Sequence, residues 1–472
     1  MMNRYIKNIG LAAGISSLVF ITGCKKFLDV NDNPNGANTV QESLLLSYAE
    51  LNGAYNITGG YPARTCAFWT QQIAYNAEGP DWDSYQVLPT DVNNTWQYDL
   101  YPGILKNLKL LETEAQEKSH FHYLAIAKIL LAYNLAVTTD LWGNIPYSDA
   151  FKGIAHPNPS YDTQEQIYTT IGTLLDDGIA NAAQPVSGTE PADDDFLYNG
   201  DMDQWTKFAY LLKARYALRL SYAPGKDPKV QAQAALDALT HSFTAASDAA
   251  AFPFSDAAGS QSPWYQLLVN WGSILTSSTF IDRLKASSDP RLPLVAKPLK
   301  DSSYVGRVIG SASSLANTVS ELGDALTTGG SPVYFATYDE ALFIKAEATY
   351  LIDGFAAAQP ILKDAVTEDM IRLGLSATNP KIAVYLNANT NLTAANAYET
   401  IMNEKYISNY LSLESFNDWR RTGFPKLNLV MNPYNNLTAI PRRWYYASSE
   451  VQTNPQPGQD VKLTDRLWWD TK

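Results

Sequence analysis

Residues 121–136 read Phe121-His122-Tyr123-Leu124-Ala125-Ile126-Ala127-Lys128-Ile129-Leu130-Leu131-Ala132-Tyr133-Asn134-Leu135-Ala136. Phe121, Leu124, Ala125, Ile129, Ala132, Tyr133 and Ala136 fall at steps of 3, 1, 4, 3, 1 and 3, the spacing of one apolar helix face. The rhythm returns in Trp205, Phe208, Ala209, Leu212, Tyr216 and Leu220. Ala341, Leu342, Lys345, Ala346, Ala348 and Thr349 mark another helix, broken by Asp353-Gly354. A further helix is predicted from Tyr398 through Trp419, with Gly423 and Pro425 as its stop. Paired helices with small alanines at their contacts predict tetratricopeptide-like hairpins. The repeat period is not clean, so the expectation is a degenerate set rather than a regular solenoid.

The fold class that follows is mostly α, with strand a minor component. A few short strands are expected, for example around Tyr304 to Ile309. Between the helices, Gly79–Thr90, Pro185–Asp201, Phe252–Gln261, Asp301–Val333 and Tyr434–Gly458 are rich in Gly, Pro, Ser, Asn and Asp. Irregular segments of this length carry function or pack as a cap.

Upstream, Arg4 and Lys7 precede an apolar run from Leu11 to Ile21. At about eleven residues it has the length of a signal-peptide core and is too short to span a bilayer. It ends in Ile21-Thr22-Gly23-Cys24, small residues before a cysteine, as a lipoprotein signal peptidase requires. Residues 1–23 are therefore read as a leader and Cys24 as the site of lipid attachment. Two or more acyl chains anchor stably where one is marginal. Residues 24–39 read as a polar tether and 40–472 as a single helical domain.

The chain carries a net charge of −13, and loss of Arg4 and Lys7 with the leader makes it −15. That balance, with no basic patch, argues against a nucleic-acid partner. Beyond Cys24 the only cysteine is Cys66, so no internal disulfide is expected. His120 and His122, two apart, point to different helix faces and do not make a metal site. No nucleophile elbow, zinc-protease helix, phosphate loop or dinucleotide fingerprint is present. Asp193-Asp194-Asp195 reads as a solvated acidic loop rather than a cation site. Asp81 and Asp83 flank Trp82, a pattern shared with glycoside hydrolases, but their sequence spacing does not define a separation across a sugar. No catalytic residue, metal or cofactor is assigned. A lipid-anchored glycoside hydrolase or peptidase is the alternative reading.

Aromatic residues are abundant: 11 Trp, 29 Tyr and 16 Phe. Core packing accounts for most of them. The remainder are candidate ligand platforms, because a Trp or Tyr ring offers a flat apolar face and a polar edge. One cluster holds Asp81, Trp82, Asp83, Tyr85 and Trp96, following a helix predicted to carry Trp69 and Tyr75. A second holds Trp264, Tyr265 and Trp271, with Asn270, ahead of a Ser/Thr-rich stretch. Sugar rings stack on such faces while their hydroxyls meet carboxylates and amides. An oligopeptide could use the same groups. The competing reading is that these rings brace loops. Trp82, among Gly79, Pro80, Asp81 and Asp83, is the strongest single candidate.

Cys24-Lys25-Lys26-Phe27-Leu28-Asp29-Val30-Asn31 with Asn33-Pro34 resembles the opening of the SusD/RagB-like nutrient-binding lipoproteins of Bacteroidetes. Leu141-Trp142-Gly143-Asn144-Ile145-Pro146-Tyr147 and Asp289-Pro290-Arg291 are similar to internal motifs of that family. Trp419-Arg420-Arg421-Thr422-Gly423-Phe424-Pro425, then Ile440-Pro441-Arg442-Arg443, Asn454-Pro455 and Trp468-Trp469-Asp470, resemble its C-terminal block, in the branch with the Arg-Arg-Thr-Gly signature. The resemblance implies four tetratricopeptide-like hairpins under a loop-rich ligand-binding cap. It implies a surface-exposed outer-membrane lipoprotein that binds an oligosaccharide or oligopeptide without turnover. It also implies a partner, a SusC-like TonB-dependent transporter barrel on which the protein sits as a lid. Within these motifs Arg420, Arg421, Arg442 and Arg443 are expected to pair with helix carboxylates such as Glu404 and Glu414 rather than with ligand. Gly143 and Pro146 are expected to end a helix and turn the chain.

The anchor reading is directly testable. A Cys24→Ala protein should leave the membrane fraction, and its retention there through a detergent-free salt wash would exclude acylation as the tether.

Overall fold

Phe121–Trp142 is buried on nearly every side, not only along the predicted face. A helix apolar all round belongs inside a protein or a membrane. This one is long and apolar enough to cross a bilayer, yet 94% of its most apolar stretch is buried within the protein. It is the central strut of a helical array. Gly143, at φ +84°, ends it, and the Gly143 N–H closes on the Thr139 carbonyl. The predicted stop is thus present, in a backbone region that glycine enters at little cost.

The structure is a computed structural model and describes residues 40–76, 81–153, 156–272, 274–311 and 318–472. The leader, Cys24 and the tether lie outside the described residues, as do Gly79 and Pro80. Glu42–Lys472 forms one compact unit. It begins with α1 (Glu42–Asn52), a π-helical segment (Gly53–Thr58), α2 (Tyr61–Trp69) and β1 (Ile73–Tyr75). A second π-helical segment (Thr95–Leu105) leads into α3 (Lys106–Lys118), the central α4 (Phe121–Trp142) and α5 (Gln164–Ala182). Then follow α6 (Met202–Arg219), α7 (Pro228–Leu239), β2 (Ala250–Phe252), α8 (Pro263–Trp271), β3 (Ile274–Thr276), α9 (Ser278–Ala286) and α10 (Leu292–Val295). After a long irregular stretch come β4 (Val333–Ala336), α11 (Tyr338–Asp353), α12 (Phe355–Arg372), α13 (Pro380–Asn389), α14 (Ala397–Ser408), α15 (Leu413–Thr422) and α16 (Ser448–Thr453).

Helices α3 to α7 pack each on the next, α7 packs on α11, and α11 on α12. This is the degenerate stack of tetratricopeptide-like hairpins predicted from the alanine-rich contacts. The strands form two short antiparallel pairs, β1 with β3 and β2 with β4. They are minor, as expected, but not where expected. Residues 304–309 contribute only an isolated bridge between Arg307 and Ser277.

Two further expectations are corrected. The helix read from Tyr398 through Trp419 is broken into α14 and α15, with Leu411 at φ +64° between them. Gln72 makes the break possible. Its Nε2 donates to the Tyr406 and Asn409 carbonyls at 3.1 and 3.2 Å, and its Oε1 accepts from the Leu411 N–H at 2.9 Å. The backbone groups freed by the break are thereby satisfied. Tyr75 is not helical either. Helix α2 ends at Trp69, Gln71 takes φ +60°, and Tyr75 joins β1.

The motif arginines pair within the scaffold, as read, Arg420, Arg421 and Arg443 buried and Arg442 half-buried, but their partners differ. Arg421 pairs with Glu347 and, at 2.7 Å, with Asp418; Arg442 pairs with Asp470. Arg420 lies between the Phe416 and Trp469 rings and donates to the carbonyls of Asp140 and Arg442 at 2.6 and 2.7 Å. Arg443 donates to the Trp142 carbonyl. Glu414 is taken instead by Arg219 and Glu404 by Arg291, the arginine of Asp289-Pro290-Arg291. Arg291 is wholly buried and also pairs with Asp289 and Asp369 at 2.6 and 2.7 Å. Removing one member of such a buried pair costs about 3–5 kcal/mol, because the other charge stays behind.

Asp193-Asp194-Asp195 is not a solvated loop throughout. Asp195 is buried and accepts from the Leu197, Tyr198 and Gly200 N–H groups and from Trp205 Nε1 at 2.7 Å. Beside it Glu50 is also buried and accepts from the Phe196 N–H at 2.7 Å. Burial, and then the Asp195 charge, push the Glu50 carboxyl well above its usual range. A carboxyl held high in the folded state stabilises it below the unfolded value, about 4.3, and that contribution is lost as pH rises. Glu50→Gln keeps the amide-sized side chain without the proton. Its melting temperature relative to the parent should therefore climb between about pH 5 and pH 8. A difference that stays flat over that range would show that Glu50 does not hold its proton.

Candidate ligand-binding site

The two aromatic clusters lie nearly two hundred residues apart, and the β1–β3 ladder joins them. Ile73 pairs with Thr276, Ala74 with Leu275 and Tyr75 with Ile274. Gln71 adds a second tie, since its Oε1 accepts from Thr279 Oγ1 at 2.9 Å and its backbone carbonyl accepts from Ser277 Oγ. The loop after β1 and the helix before β3 thus become neighbours.

On the β1 side, Asp81 caps a single helical turn, Trp82–Ser84. Its Oδ1 accepts from the Trp82 N–H at 2.7 Å, and its own N–H donates to Ser84 Oγ at 2.7 Å. Asp83 Oδ2 accepts from the Tyr75 N–H at 2.8 Å, binding the turn back to the strand. Burial raises both carboxyls, Asp83 to about 6. Each carboxylate therefore accepts from a backbone N–H, Asp81 within the turn and Asp83 from the strand.

The turn aims Trp82, which is half-buried. Its ring meets Tyr61 edge-on at 5.2 Å and lies 6.3 Å from Phe68 and 6.1 Å from Tyr75. Trp69, by contrast, is fully buried and donates its Nε1 to the Trp82 carbonyl at 3.3 Å. Tyr85 is also fully buried, at φ +73°, and so has no open face.

On the β3 side, Tyr265 is half-buried and lines a cavity of about 350 Å³ with Leu268, Val269 and Ile274. The polar wall comes from Asp256, Glu321 and a Lys297–Asp324 ion pair at 3.2 Å. Asn270 is exposed and donates to Gln266 Oε1 at 3.1 Å. Trp271 ends α8, and its side chain lies outside what is described. Trp264 points the other way, nine-tenths buried against a small cavity of about 60 Å³ with Glu340 and Arg372.

Trp96 belongs elsewhere. It is 4% exposed and lines a separate cavity on the second π-helical segment. The structure thus groups Trp82, Asp81 and Asp83 with Tyr75 at one side of the β1–β3 ladder and sets Tyr265 in a cavity of its own on the other. It buries Tyr85 and Trp264 and detaches Trp96.

Tyr61 and Arg64 were missed by sequence reasoning. They share a face of α2 at a spacing of three, and burial lowers the Arg64 guanidinium to about 10. That i, i+3 pairing was the available signal. The polar wall of the cavity was missed residue by residue, although apart from Lys297 it comes from Phe252–Gln261 and Asp301–Val333, two of the irregular segments singled out above. Among the described residues no cluster of His, Cys, Asp and Glu could hold a metal ion.

The family described as "Starch-binding associating with outer membrane", SusD-like, matches residues 34–447. The chain belongs to the SusD-like family. Among solved structures, a SusD/RagB family protein of Bacteroides thetaiotaomicron is 25% identical, with a TM-score of 0.77 over 92% of this chain and 99% of its own. A chitin-binding protein is 23% identical, with a TM-score of 0.78 over 92% of this chain and all of its own. A chitin-binding SusD homolog of Flavobacterium johnsoniae is 20% identical, with a TM-score of 0.77 over 91% and 99%. No curated protein sequence matches the chain. SusD-like proteins are outer-membrane-associated binding proteins, and the mostly helical fold derived above is theirs.

If Trp82 is a stacking platform, Trp82→Ala should weaken ligand binding by about 1–3 kcal/mol with little change in melting temperature. A lowered melting temperature with unchanged affinity would make Trp82 a brace for Tyr61 and Tyr75 instead.

Proposed function

We propose that this SusD-like protein is a lipid-anchored glycan-binding protein of the outer-membrane surface. It captures an oligosaccharide at the β1–β3 junction and passes it to a TonB-dependent barrel that it covers. The observation that carries this reading is a 350 Å³ cavity lined by the half-exposed Tyr265 ring, with a polar wall of Asp256, Glu321 and the Lys297–Asp324 pair. Aromatic faces next to carboxylates and an ammonium suit a ligand with C–H faces and hydroxyl edges. The family description names starch, and two of the structural neighbours are described as chitin-binding. Cys24 supplies the anchor, and the barrel follows from the family resemblance.

Binding without turnover is part of this reading. In the pair that suggested a glycoside hydrolase, Asp81 accepts from the Trp82 N–H of its own turn and Asp83 from the Tyr75 N–H of β1. A general acid and base facing a glycosidic bond need carboxyl groups free to meet it.

The purified protein should bind chitohexaose or maltoheptaose in calorimetry and release no reducing ends from either. A tagged protein recovered gently from native outer membranes should bring a TonB-dependent barrel with it. Release of reducing sugar would favour the hydrolase; capture of peptides alone would shift the ligand class.

A further inference from the structure

The cavity that holds Trp96 measures about 370 Å³ and lies between the second π-helical segment, the loop after α4, and α16. We propose that this groove is a second saccharide-binding site, independent of the β1–β3 junction. It rests on the carbohydrate reading given above.

One wall is aromatic. Trp96 and Tyr101 have ring centroids 4.6 Å apart, and Tyr101 stacks on Phe151 at 6.2 Å with 24° between planes. Phe151 holds φ +63°, a left-handed conformation that bulky residues seldom adopt. Such a conformation persists only where the surroundings impose it. Its effect here is to set the Phe151 ring beside Tyr101 at the groove.

The other wall is polar. Glu450 Oε2 accepts from Trp96 Nε1 at 3.1 Å, and its Oε1 accepts from Tyr161 Oη and Asn454 Nδ2, each at 2.9 Å. A carboxylate has about four lone-pair positions, so one on Oε2 is left for a further donor. These partners fix the carboxylate without neutralising it: all three are uncharged. Lys106, exposed at the rim, makes no ion pair among the described residues.

The groove therefore offers flat apolar faces, one oriented acceptor and one cationic donor. An anion would meet the Glu450 charge, and a purely apolar chain would strip water from Glu450 without replacing it. A pyranose satisfies the whole lining. Its C–H face covers Tyr101 and Phe151, one hydroxyl donates to Glu450, and another accepts from Lys106. The volume lies in the range of small-ligand sites, roughly 300–1,000 Å³.

The test is calorimetric titration of the whole protein with chitohexaose and with maltoheptaose. Two sites per chain are expected. Phe151→Ala should weaken the groove site by about tenfold or more, and Lys106→Ala, at an exposed position that leaves the core untouched, should weaken it less. Trp82→Ala should spare the groove site and weaken the other. A single site, lost in Trp82→Ala and unmoved by both groove variants, would overturn the second site and leave the proposed function standing. No binding of either oligosaccharide by the parent protein would overturn both. A groove that takes a proline-containing peptide in a Phe151-dependent way, and neither sugar, would overturn the saccharide assignment alone.

Discussion

Asp140 is the constraint on which the helical body turns. It sits near the C-terminal end of the central helix, 3% exposed, where an unpaired carboxylate would be very costly. Its oxygens are occupied by Arg219 of α6, by Tyr168 of α5 at 2.6 Å and by Trp469 Nε1 at 2.8 Å, while its backbone carbonyl takes Arg420 of α15. Arg219 extends the network to Glu414 on α15. Four helices and the C-terminal segment must therefore arrive together before this one charge is satisfied. Loss of a partner from such a network is worth about 3–5 kcal/mol. Set against a whole-domain stability of about 5–15 kcal/mol, that makes the assembly of the body close to all-or-none.

The Arg-Arg-Thr-Gly run gains its meaning from this arrangement. Arg420 is stacked between two rings and bonded to carbonyls, and Arg421 is locked to Glu347 and Asp418. Both face inward. With its charged motif residues committed to the interior, the body offers ligand nothing from this signature. Under the proposed function, recognition falls to segments outside the helix stack, which are joined by short ladders. Those segments are held by fewer and more local bonds, such as Asp83 to the Tyr75 N–H and Asp81 to the Trp82 N–H. A change of side chain there alters the surface without touching the Asp140 network.

Helical periodicity determined much by itself. The apolar steps from Phe121 to Ala136, Trp205 to Tyr216 and Ala341 to Thr349 all lie in helices, with Leu220 as the cap of the second, since burying a side of a helix demands that spacing wherever it packs. Gly143, Gly354 and Gly423 all take positive φ at helix ends, because the stop is a property of the local backbone. The ordered family motifs, too, were legible as residues.

What only the tertiary structure decided involves partners remote in the chain. The break between α14 and α15 rests on Gln72, more than three hundred residues away, whose side chain replaces the lost helical hydrogen bonds. Tyr75 became a strand residue because Ile274 lies opposite it. Local composition placed Asp195 in solvent, but Trp205 and three backbone N–H groups claimed it. Trp82, Trp96 and Trp264 look alike in sequence. One is half-exposed at a ladder, one lines a separate groove and one is packed inside, because exposure is set by what folds over a ring rather than by its neighbours in the chain.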